Sequence, residues 1–484
     1  LMQSSGVKFG TSGARGLVSA FTDRVAYAYT AAFLQHLERS GALLPKSRVA
    51  VAGDLRASTP RIVRAVLQAA TDRGCVAEYA GTIPSPALAL YALAQGIPAV
   101  MVTGSHIPDD RNGIKFNTEH GEILKADEIA IAEQVVELPD CFDAQGNLSH
   151  ASAKLPLEAN AAAEQHYVRR WIDAFPAGVL AGKTVAVYGH SAVGRDLLVD
   201  IVQRLGARVL RLGWSERFVS VDTEAIRAED VELAAGWAAN QPFFALLSTD
   251  GDSDRPLIAD ESGKFVRGDI CGVLVARYFA ATCVAAPVSC NSVLELCGWF
   301  PEVVRTKIGS PYVIEAMSQA AQRGEARAVG YEANGGFMHA TPLRVPGGDE
   351  LSPLPTRDAV IVHLALLCDA VRRGLPLSQL TAELPQRFTA SDRLADFPTQ
   401  LSAQRIAELT SGGASAVSRA FPELGLSAQL DTTDGLRITF QSGDVLHVRP
   451  SGNAPELRCY VEAGAEERAR RLLDYALSSL ASWR

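Results

Sequence analysis

Met101-Val-Thr-Gly-Ser-His-Ile-Pro-Asp-Asp-Arg-Asn-Gly-Ile-Lys-Phe116 sets the terms on which the rest of the chain is read. An apolar run, Ile97 to Val102, has the composition of a buried strand, and it ends in a polar loop centred on Ser105. One hydroxyl, one imidazole, an Asp pair, an Arg and a Lys fall within the eleven residues from Ser105 to Lys115. A hydroxyl on a loop at the end of a strand is where α/β proteins place chemistry. Ser105 is therefore a candidate carrier of a phosphoryl group. Pro108, Asn112 and Gly113 are turn formers, so a plain surface turn is the competing reading.

Upstream, strand and helix patterns alternate. Phe9-Gly-Thr-Ser-Gly-Ala-Arg15-Gly16 is a glycine-rich turn with one cation, suited to a backbone that approaches an anion closely. Helical spacing from Val25 to Ser40 precedes the short apolar strand Arg48 to Ala52. A helix from about Pro60 to Arg73, a strand Val76–Tyr79 and a helix Ala87–Gln95 then lead to the opening stretch. Such βαβ alternation implies a mostly parallel sheet. Glu122 to about Ala174 is Ala-rich with helical spacing, and a long helix linking two domains is expected there. A second α/β unit begins at Lys183–Tyr188. Its Gly189–Gly194 loop does not match the dinucleotide fingerprint G-x-G-x-x-G. Apolar strands at Phe243–Thr249, Ala285–Cys290 and Ala328–Gly330 continue the pattern, with helices near Asp269–Ala280, Tyr312–Gln322 and Arg357–Arg373. Beyond Arg387 the segments Leu436–Phe440, Asp444–Val448 and Leu457–Val461 alternate strongly, as antiparallel strands do, before a charged helix at Ala465–Ser482. The fold class is α/β: three successive mixed α/β domains (1–155, 156–263 and 264–385) and a smaller C-terminal α+β domain (386–484).

The chain has 484 residues, 48% hydrophobic and 21% charged, and a net charge of −8. That balance suits a globular protein and argues against nucleic-acid binding. No apolar run approaches the roughly 18–20 residues that span a bilayer, and no charged-then-apolar leader is visible. Eight scattered cysteines form no C-x-x-C pair and read as reduced thiols, so a cytoplasmic location is expected.

Three further loops carry chemistry. Asp250-x-Asp252-x-Asp254 places three carboxylates at alternate positions, where they repel one another unless they share a cation. Glu261 even falls at position 12 of an EF-hand loop. Arg255 stands where that loop needs glycine, however, and the preceding run is a strand, so Mg2+ fits better. Glu332 and Asn334, in Gly330–Gly336, have the polarity to bind hydroxyls of a ligand. Arg449-Pro-Ser451-Gly452-Asn453-Ala-Pro455, with Arg458, combines two guanidinium groups with hydroxyl and amide donors and suits a phosphate.

Together these loops resemble the α-D-phosphohexomutase superfamily, most closely its phosphomannomutase/phosphoglucomutase branch. The family's phosphoserine loop T-A-S-H-N-P-x-x-x-N-G-x-K is similar to Thr103-Gly-Ser105-His106-Ile-Pro108, with Asn112, Gly113 and Lys115 in register. Its metal loop D-G-D-x-D-R matches Asp250 to Arg255 completely. The resemblance implies a four-domain chain around a central cleft. It also implies interconversion of hexose 1-phosphate and hexose 6-phosphate, through phospho-Ser105 and a hexose 1,6-bisphosphate intermediate that also serves as activator. Mannose is the expected sugar, with glucose second. Mg2+ on Ser105, Asp250, Asp252 and Asp254 is implied. Arg15 and Lys115 would steady the transferred group together with Arg255, which also faces the substrate. Glu332 and Asn334 would read the sugar, and Arg449, Ser451, Gly452, Asn453 and Arg458 would hold the other phosphate. Lys115, His106 and Lys307 are the candidates for the general base. The string Glu332-Ala-Asn-Gly335 is instead similar to the acetylglucosamine-phosphate mutases, which makes a phosphoglucosamine or N-acetylglucosamine-phosphate mutase the alternative. Ser310 falls where many relatives carry His, and Asn453-Ala454 where the family prefers Thr-Glu. The expected partner is a phosphosugar, with neither nucleic acid nor membrane, in a monomer or homodimer.

Overall fold

The computed structural model describes residues 1–10, 13–149, 157–451 and 455–484. Four main sheets follow one another along the chain. In the first, the strands Val76–Thr82, Arg48–Gly53 and Ala99–Val102 run parallel, the last two joined through the helices Thr59–Asp72 and Ser85–Gln95. The sheet is mixed rather than mostly parallel. Beyond Ala99–Val102 it continues with Arg111–Thr118, Ala14–Leu17 and Lys8–Phe9, each antiparallel to its neighbour. Only the loop 103–110 separates Val102 from Arg111. A parallel crossover needs about a dozen residues or more, so the chain has to return as a hairpin. The returning strand, Arg-Asn-Gly-Ile-Lys-Phe-Asn-Thr, carries too little hydrophobic alternation to be recognised, yet Asn112, Lys115 and Asn117 are all buried in it.

The long linking helix is not found among the described residues. Those of the stretch 122–174 hold two short helices, Lys125–Ala132 and Ala162–Ala174. Between them, residues 133–149 carry Pro139, which lacks a helical N–H, and Gly146 in the left-handed region at φ 83°.

The second sheet orders Arg208–Trp214, Thr184–His190 and Ala245–Thr249 in parallel, then Pro256–Ala259 and Phe265–Val266 antiparallel. The third centres on Cys283–Pro287 between Glu302–Thr306 and Ala328–Tyr331, with Phe337–His339 and Leu354–Asp358 beyond. The helix expected from Arg357 starts at Ala359. Arg357 stays in the strand, and the Asp358 side chain caps the helix by accepting from Val360 N at 2.8 Å. The loops of Ser105, Asp250 and Glu332 follow Ala99–Val102, Ala245–Thr249 and Ala328–Tyr331, at the carboxyl ends of parallel strands. Open α/β sheets place ligands at this end.

In the fourth sheet every neighbouring pair is antiparallel. Leu436, Ile438, Leu446, Val448, Leu457, Cys459 and Val461 form one face of it, packed in a core with the helices Thr399–Ala420 and Glu466–Ala481. The intervening residues form the other face, which is polar. That core is distinct from the largest one, which runs without interruption from Ala50 through Trp171 and Val329 to Leu384. All eight cysteines are free thiols. No helix among the described residues is long and apolar enough to cross a membrane.

Candidate active site

Ser105 is completely buried and holds a left-handed backbone conformation, φ 54°. Its neighbours fix it there. Its N–H donates to Thr103 Oγ1 at 2.7 Å, and Thr103 Oγ1 donates to Asp54 Oδ2 at 2.8 Å. The buried Arg56 guanidinium threads the inside of the loop. It donates to the carbonyl oxygens of Ser105 (2.9 Å), Ile107 (2.5 Å), Pro108 (2.8 Å) and Arg111 (3.1 Å). A side chain at Gly104 would begin 2.6 Å from this guanidinium, which accounts for glycine there.

The metal-loop candidate is the tight turn between Ala245–Thr249 and Pro256–Ala259, so the chain lays it directly against the serine loop. A side chain at Gly251 would meet the Ser105 carbonyl oxygen at 2.6 Å. Asp250, Asp252 and Asp254 are all buried, with one ligand atom of each within 4.8 Å of the others. Ser105 Oγ donates to Asp250 Oδ2 at 2.5 Å. Lys115 Nζ donates to Asp252 Oδ2 and Asp254 Oδ2, both at 2.6 Å, and Ser85 Oγ to Asp252 Oδ2 at 2.6 Å. The remaining Oδ1 atoms of Asp252 and Asp254 are buried with no hydrogen-bond partner among the described residues. Two orphaned carboxylate oxygens beside a third carboxylate fit a divalent cation with oxygen ligands.

The electrostatics follow from crowding. Burial, with the charges of Asp252 and Asp254, pushes Asp250 well above the ordinary carboxyl range. Burial would lift Asp254 too, but Arg357, Lys115 and Arg255 hold it down. Burial opposes the Lys115 ammonium, yet Asp252 and Asp254 outweigh it and raise its pKa. Arg15 lies beside Arg255, and burial with that like charge lowers it to about 10. His106 is kept neutral by burial and by Arg255 and Arg15. Its Nδ1 accepts from Arg255 Nη1 at 2.8 Å and stands 3.3 Å from Ser105 Oγ, which assigns its proton to Nε2.

A cleft of about 580 Å³ opens above this cluster, lined by Arg15, His106, Arg255, Glu332, Asn334 and Arg458 among others. Glu332 is not a bare carboxylate. Its Oε2 accepts from Arg357 Nη1 at 3.0 Å, while Arg357 Nε and Nη2 donate to Asp254 Oδ2 at 3.1 and 3.0 Å. Asn334 Oδ1 accepts from Gly336 N, and a side chain at Gly336 would begin 2.5 Å from Arg357. Arg357 thus fills the space beside the sugar loop. Ser310 Oγ donates to Glu122 Oε2 at 3.0 Å. Arg449 is half-buried, 3.5 Å from Asp434, and Ser451 is buried beside it. Gly452 and Asn453 lie outside the described residues, as do Thr11 and Ser12 of the first glycine turn. Lys307 is not drawn into the cluster; it is exposed, with its ammonium 5.8 Å from the Tyr312 ring centroid.

Several site residues escaped the sequence reading. Asp54 and Arg56 carry a faint signal, opposite charges two apart at the end of an apolar strand. Arg357 and Ser85 carry none, because their partners are distant in sequence. Nor does the segment 215–225 of the second unit. There Phe218 stacks on Arg56 at 3.8 Å, Ser220 Oγ donates to the His106 carbonyl, and Thr223 Oγ1 donates to the Asn334 carbonyl at 2.8 Å. It straps the serine loop to the sugar loop and brings Asp222 and Glu224 to the cleft.

Family models described as phosphoglucomutase/phosphomannomutase, alpha/beta/alpha domain I, alpha/beta/alpha domain III and C-terminal domain match residues 6–139, 267–388 and 391–478. A phosphomannomutase of Sinorhizobium fredii is 42% identical over 477 residues, covering 99% of each chain. A phosphomannomutase of Salmonella muenchen is 40% identical over 486 residues, covering 100% of this chain and 97% of its own. Among solved structures, a phosphoglucomutase/phosphomannomutase family protein from Burkholderia thailandensis superimposes with a TM-score of 0.73 at 20% identity, covering 98% of this chain and 97% of that one.

Proposed function

Since this chain belongs to the α-D-phosphohexomutase superfamily, in its phosphomannomutase branch, and is a phosphohexomutase, we propose that it interconverts mannose 1-phosphate and mannose 6-phosphate, with glucose as a second sugar. The observation that carries the mechanism is the Ser105 hydroxyl, buried 2.5 Å from one member of a three-carboxylate cluster. In the active form Ser105 carries the phosphoryl group. The Ser105 Oγ–P bond breaks as the bond from phosphorus to the free sugar hydroxyl forms, and that hydroxyl loses its proton. The resulting hexose 1,6-bisphosphate turns over, and its other phosphate returns to Ser105 Oγ. Magnesium, held by Asp250, Asp252, Asp254 and the Ser105 side chain, supplies positive charge beside the phosphoryl oxygens when bound.

The chain's own cations do the rest of the neutralisation. Lys115, Arg15 and Arg255 converge on the position of the transferred group, and Lys115 is held there by two carboxylates before substrate arrives. Of the candidate bases, Lys115 is held as an ammonium between two carboxylates and Lys307 is exposed. Neutral His106, 3.3 Å from Ser105 Oγ, takes the proton once Arg255 moves onto the phosphate. Glu332, oriented by Arg357, and Asn334 read the sugar hydroxyls. Arg449, Ser451, Gly452, Asn453 and Arg458 hold the phosphate that is not transferred.

Incubation with mannose 1-phosphate, Mg2+ and glucose 1,6-bisphosphate is expected to give mannose 6-phosphate without free phosphate. Steady phosphate release with no isomer would sink the mutase reading in favour of a phosphatase. The string Glu332-Ala-Asn-Gly335 favours a second reading, an amino-sugar substrate. A faster rate on glucosamine 1-phosphate than on mannose 1-phosphate would replace the first reading with it.

A further inference from the structure

The polar face of the C-terminal sheet turns toward the cleft, and its register sets three arginines in a row. Arg458 pairs directly with Arg449 on one side and with Arg393 on the other. Directly opposed residues of an antiparallel sheet share a face, with Cβ atoms about 5 Å apart. The three guanidinium groups therefore form a ladder about 10 Å long across three strands. The next row along the same face is Ser391, Tyr460 and His447, and Ser391, Tyr460, Arg393 and Arg458 all line the cleft.

Like charges directly opposite one another destabilise a sheet, and this ladder is poorly neutralised. Arg393 and Arg458 share one carboxylate, Glu456, at 3.4 and 3.6 Å, and among the described residues Arg449 pairs with Asp434 alone, at 3.5 Å. Elsewhere in the same sheet-and-helix unit, Arg468 closes on Asp444 at 2.7 Å and Arg387 on Glu462 at 2.5 Å. The sheet can make short pairs, and the ladder does not make them. Three guanidinium groups against the two carboxylates they contact, with Arg393 and Arg458 lining the cleft together with Glu224, match a phosphate dianion, which accepts several parallel N–H bonds at once.

We propose that Arg393 is the third arm of the phosphate grip, binding the non-transferred phosphate of the hexose phosphate together with Arg458 and Arg449. This rests on the reading that those two arginines hold that phosphate. Arg393 lies more than fifty residues before the loop Arg449–Pro455, on an exposed edge strand, and only the sheet register brings it alongside.

The test compares Arg393→Gln, Arg393→Lys and Arg449→Gln with the parent enzyme in Mg2+ and glucose 1,6-bisphosphate, measuring kcat and KM for mannose 1-phosphate. Calorimetric titration with glucose 6-phosphate gives a binding constant that needs no turnover. Arg393→Gln is expected to raise KM and the dissociation constant about tenfold and to change kcat less than about threefold. Arg393→Lys should fall between it and the parent. The side chain is 59% exposed and is one of three opposed like charges, so the melting temperature should not fall. If Arg449→Gln weakens binding while Arg393→Gln does not, Arg393 is no part of the grip, though the phosphate site stands. If neither variant weakens binding, the reading of the phosphate site falls and takes the proposal with it.

Discussion

At Ser105 the backbone holds φ 54°, a conformation that costs a non-glycine residue on the order of 1 kcal/mol or more. The surrounding contacts over-determine it, so the hydroxyl is aimed at Asp250 rather than left to rotate in solvent. Ser105→Ala is expected to abolish mass labelling by glucose 1,6-bisphosphate, which adds about 80 Da for one phosphoryl group. It should also cut turnover at least about a thousandfold. An unlabelled parent, or labelling that survives the substitution, would remove Ser105 from the mechanism. Lys115 makes a different prediction. It is the short contact of two buried carboxylates, and its loss leaves Asp252 and Asp254 less compensated. Lys115→Met should destabilise the metal-free protein by about 3–5 kcal/mol, and millimolar Mg2+ should restore part of that, because a cation bound only by the folded state stabilises it by mass action. Thermal melts with EDTA and with Mg2+ decide the matter. A variant that melts with the parent under both conditions would show that Lys115 does not balance this cluster.

At the scale of the element, the serine loop is a short hairpin connection in which the carbonyl groups of Ser105, Ile107 and Pro108 point inward onto one guanidinium. Arg56→Met is expected to cost about 3–5 kcal/mol, because it strands the fully buried Asp54 carboxylate as well as the loop carbonyls. The double variant Asp54→Asn/Arg56→Met should recover part of this loss, a coupling that urea denaturation would reveal and that simple additivity would refute. The same loop marks what the sequence can tell. Its serine, its turn residues and the strand feeding it are local features, as is the Asp250–Asp254 triad, and all were legible. The strand Arg111–Thr118 was not, because a strand buried on polar partners has no hydrophobic alternation to display. Arg56 and Arg357 were seen as residues but not as parts of the site. Arg56 binds carbonyls about fifty residues away, and Arg357 binds Asp254, 103 residues earlier. Burial of a cation is fixed by such partners, and no local spacing announces them.

At the scale of the molecule, the separation of the cores has a thermodynamic consequence. The largest cluster joins residues from Ala50 to Leu384 without a break, whereas the C-terminal cluster contacts other members only of its own unit. Bridges between the two are polar, such as Asn291 Nδ2 to the Arg387 carbonyl and Ile308 N to Asp434. Calorimetry is expected to resolve two transitions, a large one for the first three units and a smaller one for residues after about 386, and a single sharp transition would refute this. The two should also differ in their response to acid. His190 and His363 are buried and held at about 4, and His339 at about 3, in each case chiefly by burial. All three belong to the large block, and His447, at about 4, belongs to the small one. A histidine whose folded pKa is depressed takes up a proton in the unfolded chain first. Its contribution therefore favours the folded state above pH 6.5 and is lost as the pH falls toward 4, with a slope of up to about 1.4 kcal/mol per pH unit. Asp358 acts in the opposite sense. Burial raises it to about 6, so its contribution favours the folded state at low pH and is lost as the pH rises from about 4 to 6. Asp250, which burial and two neighbouring carboxylates also raise, acts in the same sense as Asp358, so the contributions of this block oppose one another and are separated by changing one residue at a time. His363 sits inside the helix Ala359–Arg373 and is completely buried. His363→Leu replaces the imidazole with an apolar side chain of similar size that cannot titrate, so it should flatten the pH dependence of the large transition by about one proton's slope while leaving the small transition where it was. An unchanged slope for the large transition would mean that His363 is not the proton acceptor whose exclusion sets the acid sensitivity of this block.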